Sequence, residues 1–217
     1  MPPAARPGPA FALALALSLL LALAAAAARP LPAGGEATRG AAAGAPGSPF
    51  EVEKYLGRWF QVYGSPSVME TFEKGGVCVT ADYSLLPDGN IGVFNSQRHL
   101  TESGALSNIT GYAYIPDAAV PTHLKVHFDT GSPVDGQYWI YSFGPSGTSQ
   151  YEFAVVSDEL KLTLFVLARD PEAFKREFDE DVKALLNALG FKHFWNKPLA
   201  VHQGPGCNYP PPAAAVV

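Results

Sequence analysis

The chain has 217 residues, 47% of them hydrophobic and 16% charged, with a formal net charge of −5. That length is ample for one folded domain. The acidic balance, with no basic cluster to offset it, argues against nucleic acid and anionic membrane surfaces as partners.

Residues 1–29 read as a secretory signal peptide: Arg6, then 19 uncharged residues from Ala10 to Ala28, then an alanine-rich exit with Ala-x-Ala cleavage choices. A retained membrane anchor is the rival reading, because a run of about 18 apolar residues just spans a bilayer. Residues 30–49 hold no aromatic residue and little besides Ala, Gly and Pro. Such a segment buries too little to offset its ordering entropy, so a flexible lead-in is expected. Cleavage after residue 29 removes Arg6 and Arg29 and no acid, leaving −7. The folded domain is expected over residues 50–209, with 210–217 as a loose tail and the product secreted and extracellular. Secretion gives weight to two further features. Cys78 and Cys207, an even pair, favour a disulfide over two buried thiols. Asn108-Ile109-Thr110 is a glycosylation sequon.

From Gly57 to Arg169, short runs of β-branched and aromatic residues alternate with Gly, Pro, Asn and Asp. Strands are predicted at 58–64, 77–86, 90–98, 108–115, 123–128, 137–143, 151–157 and 161–168. Pro87-Asp88-Gly89-Asn90 is a turn with a mechanism, proline fixing one φ and glycine supplying another. The period then changes. Phe174, Phe178, Val182, Leu185 and Leu189 recur at helical spacing, with Asp170 as N-cap, Pro171 at the first helical position and Gly190 at the end. This predicts one amphipathic helix of about five turns, packed on the outside of a sheet. A short strand is expected within 197–203. Eight antiparallel strands with short links and one late helix fit a barrel or a sandwich. An immunoglobulin-type sandwich places its tryptophan between two cysteines. Here Trp59 precedes both cysteines and Cys207 lies beyond the helix, which favours an all-β, eight-stranded up-and-down barrel with a C-terminal helix outside.

Tyr55-Leu56-Gly57-Arg58-Trp59, the stretch FEKGGVCVTADYSLLPDGNI and FVLARDP before the helix occur in order and at family spacing. On these residues the chain resembles the lipocalins, in the branch that holds apolipoprotein D and the bacterial lipocalins. The resemblance implies that Trp59 plugs the closed end, that Arg169 lies across its face and that Gly57 admits a close turn. It also implies a Cys78–Cys207 disulfide. One family motif, Thr-Asp-Tyr after the sixth strand, is missing; Ser142-Phe143-Gly144-Pro145 stands there.

The resemblance fixes which strand faces point in: Trp59, Gln61 and Tyr63; Val79, Ala81 and Tyr83; Val93, Asn95 and Gln97; Leu124, Val126 and Phe128; Tyr138 and Ile140; Thr163, Phe165 and Leu167. A glycosylated Asn108 must face out, which turns Ile109, Gly111 and Ala113 inward. The expected ligand-binding set is Tyr83, Asn95, Gln97, Phe128, Tyr138, Phe165 and Leu167, an apolar lining with scattered polar handles. His123, His127 and Lys125 share the outer face, and no metal site is expected there. No cofactor and no catalytic residue are expected. The implied function is a secreted carrier of a small hydrophobic molecule such as a lipid, sterol, retinoid, fatty acid or pigment, with membrane or lipoprotein contact through lipid exchange left open. Two alternatives stand beside it. One is a lipid isomerase or reductase using Cys78 as a thiol. The other is a protein-binding lipocalin acting through its open-end loops, where Val68, Met69 and Phe72 are either exposed or form a lid.

Overall fold

A computed structural model describes residues 49–212. The predicted signal peptide at 1–29, the predicted lead-in up to residue 48 and the tail from residue 213 lie outside the described residues. Nine strands follow in chain order: β1 Gly57–Gly64, β2 Gly76–Leu85, β3 Ile91–His99, β4 Leu106–Tyr114, β5 His123–Phe128, β6 Gly136–Gly144, β7 Phe153–Ser157, β8 Phe165–Ala168 and the short β9 Leu199–Ala200. Each of β2 to β8 pairs antiparallel with its neighbour in sequence, and β1 pairs with both β2 and β8, so eight strands close into a barrel. β9 adds to β1 from outside, at Tyr63 and Gly64.

Helices flank the sheet. α1 (Val52–Tyr55) leads into β1, and α2 (Pro66–Met69) sits in the β1–β2 loop. α3 (Pro171–Glu177) and α4 (Asp179–Leu189) follow β8. The Asp170 side chain caps α3 by accepting from the backbone N–H groups of Glu172 and Ala173. Gly190 closes α4 in the left-handed region at φ 93°, which glycine adopts without steric cost. The sequence predicts a single helix here, but the helix is broken at Phe178, whose φ of −125° is non-helical. The break lets Phe174 and Phe178 both bury against the sheet.

Two apolar layers result. One fills the barrel: Trp59, Ala81, Tyr83, Val93, Leu124, Ile140, Ala154, Val156 and Leu167 belong to it. The other lies between the outer faces of β1, β7 and β8 and the two late helices, where Val62, Tyr63, Phe153, Val155 and Val166 meet Phe174, Phe178, Val182 and Leu186. Tyr63 is therefore a correction to the inward parity of β1. The β1–β8 register slips between Gln61 and Tyr63. A bulge inserts one extra residue and reverses the alternation beyond it. Tyr63 thus lies under α4, where its hydroxyl donates to Asp179 at 2.5 Å. Thr163 is a second correction. It precedes β8, and its backbone N–H and hydroxyl both donate to the Asp158 carboxylate at 2.7 Å, in the turn after β7. β8 is accordingly shorter than the predicted 161–168.

Cys78 and Cys207 are bonded, joining β2 to the segment beyond the helices across 129 residues of sequence. That segment is well tied down. The Gln203 amide donates to the carbonyls of Gln61 and Val79, Tyr209 packs edge-on against Phe60, and Arg58 donates to the Pro210 carbonyl at 2.8 Å.

Candidate functional site: the barrel interior

The closed end is built around Trp59. Its indole is fully buried and donates to the Tyr55 carbonyl at 2.8 Å. The Arg169 guanidinium lies 3.8 Å from the indole ring centre. The same group donates to the carbonyls of Arg58, Leu56, Lys54 and Tyr151 at 2.7, 2.7, 3.1 and 3.2 Å. It therefore combines a cation–π contact with four charge-assisted hydrogen bonds. Burial lowers the Arg169 pKa to about 10, which leaves it charged at neutral pH. Gly57 has φ 95°, and a Cβ there would sit 3.3 Å from the Arg169 guanidinium. Phe50, Phe143 and Tyr151 pack below as an aromatic plug, close to where the missing family motif would fall.

Above this floor, Tyr138 lies between two other tyrosines. Its hydroxyl is 2.6 Å from that of Tyr55 and 2.9 Å from that of Tyr83. Burial pushes the Tyr83 phenol up to about 12 and the other two well above their ordinary value. All three stay neutral at physiological pH. Tyr83 and Tyr138 do face inward, but they are not free handles, because their hydroxyls already bond within the chain. Tyr55 is the partner that strand periodicity did not reveal, since it ends α1, ahead of β1.

Toward the mouth the packing opens. Phe128, Tyr138 and Phe165 border the inner core yet are only partly buried, while Leu167 below them is buried. Asn95 pairs with Ala81 and Ile109, and Gln97 follows it toward the mouth on the same strand face. Neither amide is hydrogen-bonded among the described residues, and Asn95 Oδ1 is buried without a partner. An unsatisfied buried amide oxygen costs about 1–3 kcal/mol, a cost that water or a bound polar group removes.

One polar residue here was not foreseen. The β1–β2 loop folds over the mouth, with Val68 fully buried and Phe72 against Phe165 at 6.0 Å between ring centres. This turns Glu73 inward, where Gln61 Nε2 donates to its carboxylate at 2.6 Å. Gln61 is buried and pairs with Leu167, so the carboxylate meets the inner face of β1. Burial lifts the Glu73 carboxyl to about 7, against a smaller lowering from Gln61. Loop residues carry no alternation, and the available signal was only an acid beside Gly75-Gly76, where the backbone approaches closely.

On the outer wall Asn108 is exposed, and Thr110 of its sequon donates to Asp129 at 2.6 Å. His127 sits 2.8 Å from Asp135, and His123 stacks on Trp139. A surface cleft of about 250 Å³ beside that stack is lined by Pro116, Asp117, Val120, Lys125 and Gln137. It is open to solvent and shares Leu124 with the barrel core, but the unpartnered amides and the inward-turned carboxyl do not line it. Glu102, His202 and Cys207 approach within 4.8 Å of one another, but the Cys207 sulfur is already bonded to Cys78.

Comparison with known proteins adds relatives to this geometry. Residues 50–200 match the family described as a lipocalin-like domain. The chain is 38% identical to apolipoprotein D of Mus musculus over 91 residues, 42% of this chain and 44% of that one. It is 30% identical to the outer membrane lipoprotein Blc of Vibrio cholerae over 138 residues, 64% of this chain and 75% of that one. The match thus spans less than half the length of the apolipoprotein D relative. Among solved structures, lobster apocrustacyanin A1 superposes with a TM-score of 0.50 at 16% identity, over 72% of this chain and 81% of that one. Japanin from Rhipicephalus appendiculatus, bound to cholesterol, does so with a TM-score of 0.50 at 15% identity, over 73% and 100%. At such identity the likeness is one of fold.

Proposed function

The chain belongs to the lipocalin family, and from that premise we propose that it is a secreted carrier holding one small, largely apolar molecule reversibly inside its barrel. The observation that carries this reading is the contrast along the barrel axis: a sealed floor below, bonded through Arg169 and the three tyrosine hydroxyls, and partly exposed Phe128 and Phe165 beside unpartnered Asn95 and Gln97 above. Apolar side chains supply affinity at about 25 cal/mol per Å² buried, less the ordering cost, and the amides supply orientation. Japanin's bound cholesterol is consistent with a sterol-sized occupant.

The route of entry is the open end. Exposed apolar side chains gather on the loops there: Phe72, Leu100, Val134, Leu160 and Phe194, with Val134 at 72% and Phe194 at 79% exposure. Such a rim favours exchange with an uncharged lipid surface. The same loops serve the alternative of a protein partner, but their apolar character around a lipophilic mouth suits lipid better. A thiol-dependent form of the enzyme alternative needs a free Cys78, and that sulfur is joined to Cys207. The carrier reading is tested by native mass spectrometry of protein from its own source. It predicts one co-purified lipid-sized mass per chain, displaced by added hydrophobic ligand. A bare mass that takes up no ligand contradicts it.

A further inference from the structure

The carrier reading leaves the head group of the ligand open, and the mouth-side polar groups narrow it. Three groups converge there from two elements. Glu73 comes from the β1–β2 loop and is anchored by Gln61. Gln97 comes from β3, its Oε1 so close over Gly76 that a Cβ there would sit 2.4 Å away. Asn95 lies one step deeper on β3, about 7 Å below by strand geometry, with its Oδ1 buried and unpartnered. No Lys, Arg or His forms an ion pair or hydrogen bond with Glu73 among the described residues; Gln61 is its one bonded neighbour and Lys74, next in the chain, is exposed. An inward-turned carboxylate without a cation is a costly arrangement. It becomes a favourable one when the occupant brings the cation.

We infer that this cluster is an acceptor subsite for a primary ammonium head group, so that the barrel selects long-chain amines over long-chain acids. An ammonium carries three N–H donors and no acceptor. The Glu73 carboxylate, Gln97 Oε1 and Asn95 Oδ1 are three acceptors, and the two amides turn freely because nothing else holds them. The alkyl chain then runs down past Phe128 and Phe165 toward the tyrosines. A carboxylate head group meets the reverse: like charge from Glu73 and only amide N–H groups to offset it. The raised Glu73 pKa of about 7 fits the same picture, since it marks a carboxyl that lacks a counter-charge when the site is empty.

This deepens the carrier reading and rests on it. The test is displacement of a fluorescent apolar probe by dodecylamine, dodecanol and dodecanoate, each below its micellar concentration, using the intact secreted chain. At about pH 8.5, where Glu73 is ionised, dodecylamine is expected to bind at least about tenfold more tightly than dodecanoate. At about pH 5.5 Glu73 is protonated, and the gap narrows. Glu73→Gln, which keeps size and the Gln61 contact, reduces the gap at pH 8.5 to that seen at pH 5.5 and so removes its pH dependence. Asn95→Leu weakens dodecylamine relative to the apolar probe. Equal affinity for the three chains at high pH, or a preference for amine that survives Glu73→Gln, overturns the inference while leaving the carrier reading intact. Failure of the probe and of all three chains to bind overturns both.

Discussion

The two ends of the barrel are made of similar residues used in opposite ways. At the closed end, among the described residues, no buried side-chain polar atom lacks a partner. The Arg169 guanidinium bonds four carbonyls and covers Trp59, and Tyr55, Tyr83 and Tyr138 bond one another. At the open end, among the described residues, the Asn95 and Gln97 amides have no hydrogen-bond partner, and the Glu73 carboxyl is held far from its ordinary pKa. A saturated end is rigid and selective for nothing; an unsaturated end has unmet bonding capacity to offer an occupant. Stability is thus concentrated in the floor and binding in the mouth. Substitutions at the two ends should separate these properties.

The largest effect is expected from Arg169→Ala. It removes a cation–π contact and strands four carbonyls, so about 4 kcal/mol of unfolding stability should go. Denaturant titration measures the loss. Ligand selectivity in the surviving folded fraction should be unchanged. If stability is unchanged instead, the floor is not where the fold is held.

Next comes the Cys78–Cys207 bond, which ties the outer segment to β2. Replacing both cysteines with alanine should cost about 3 kcal/mol, from the unfolded chain's regained freedom. Loss of binding larger than this stability change explains would contradict the division between the two ends.

A smaller effect is expected at Asp179. Burial alone would raise its pKa, but hydrogen bonds from Lys175, Tyr63 and Lys183 outweigh it and hold the carboxyl at about 2. A depressed carboxylate stabilises the fold above its unfolded pKa, and that contribution is lost as pH falls through the folded value. The lysine partners are exposed, so solvent screening reduces the effect. Asp179→Asn should cost about 1–2 kcal/mol at pH 7, and the difference from the parent should vanish by about pH 2. A difference that persists there would mean that packing, not charge, links β1 to α4.

The smallest stability effect, under about 1 kcal/mol in either direction, is expected for Asn95→Leu, because the parent amide oxygen has no bond to lose. Its effect should appear in binding, as a shift toward wholly apolar ligands. A large destabilisation would show that Asn95 is part of the scaffold.

The sequence was most readable where structure is periodic. Alternation located the eight barrel strands, and the change to helical spacing located the late helical region with both of its caps. Periodicity misled where one residue interrupts it. The extra residue between Gln61 and Tyr63 turned Tyr63 outward, and the break at Phe178 divided a continuous apolar stripe into two helices. In neither case does a Gly or Pro mark the spot; packing against the second apolar layer decides it. The family resemblance supplied the contact of Trp59 with Arg169, which composition alone would not have joined, and agreed with the disulfide that the even cysteine count already favoured. It gave no sign of Glu73, which reaches the interior from a loop where side-chain direction follows no period. Nor did it reveal the hydroxyl chain in which Tyr138 bonds both Tyr83 and Tyr55, because Tyr55 lies outside the strands.

The central claim, that the mouth side of the barrel interior holds the ligand, is tested most directly by one titration. A fluorescent apolar probe is added to the parent chain, to Phe128→Ala and to Tyr112→Ala, the first residue on the inner wall and the second on the outer. The account predicts saturable binding at one site per chain. Phe128→Ala should weaken it by about 1–2 kcal/mol, roughly five- to thirtyfold, and Tyr112→Ala should leave it unchanged. Binding that ignores Phe128→Ala, or that falls with Tyr112→Ala, would place the ligand outside the barrel and contradict the account.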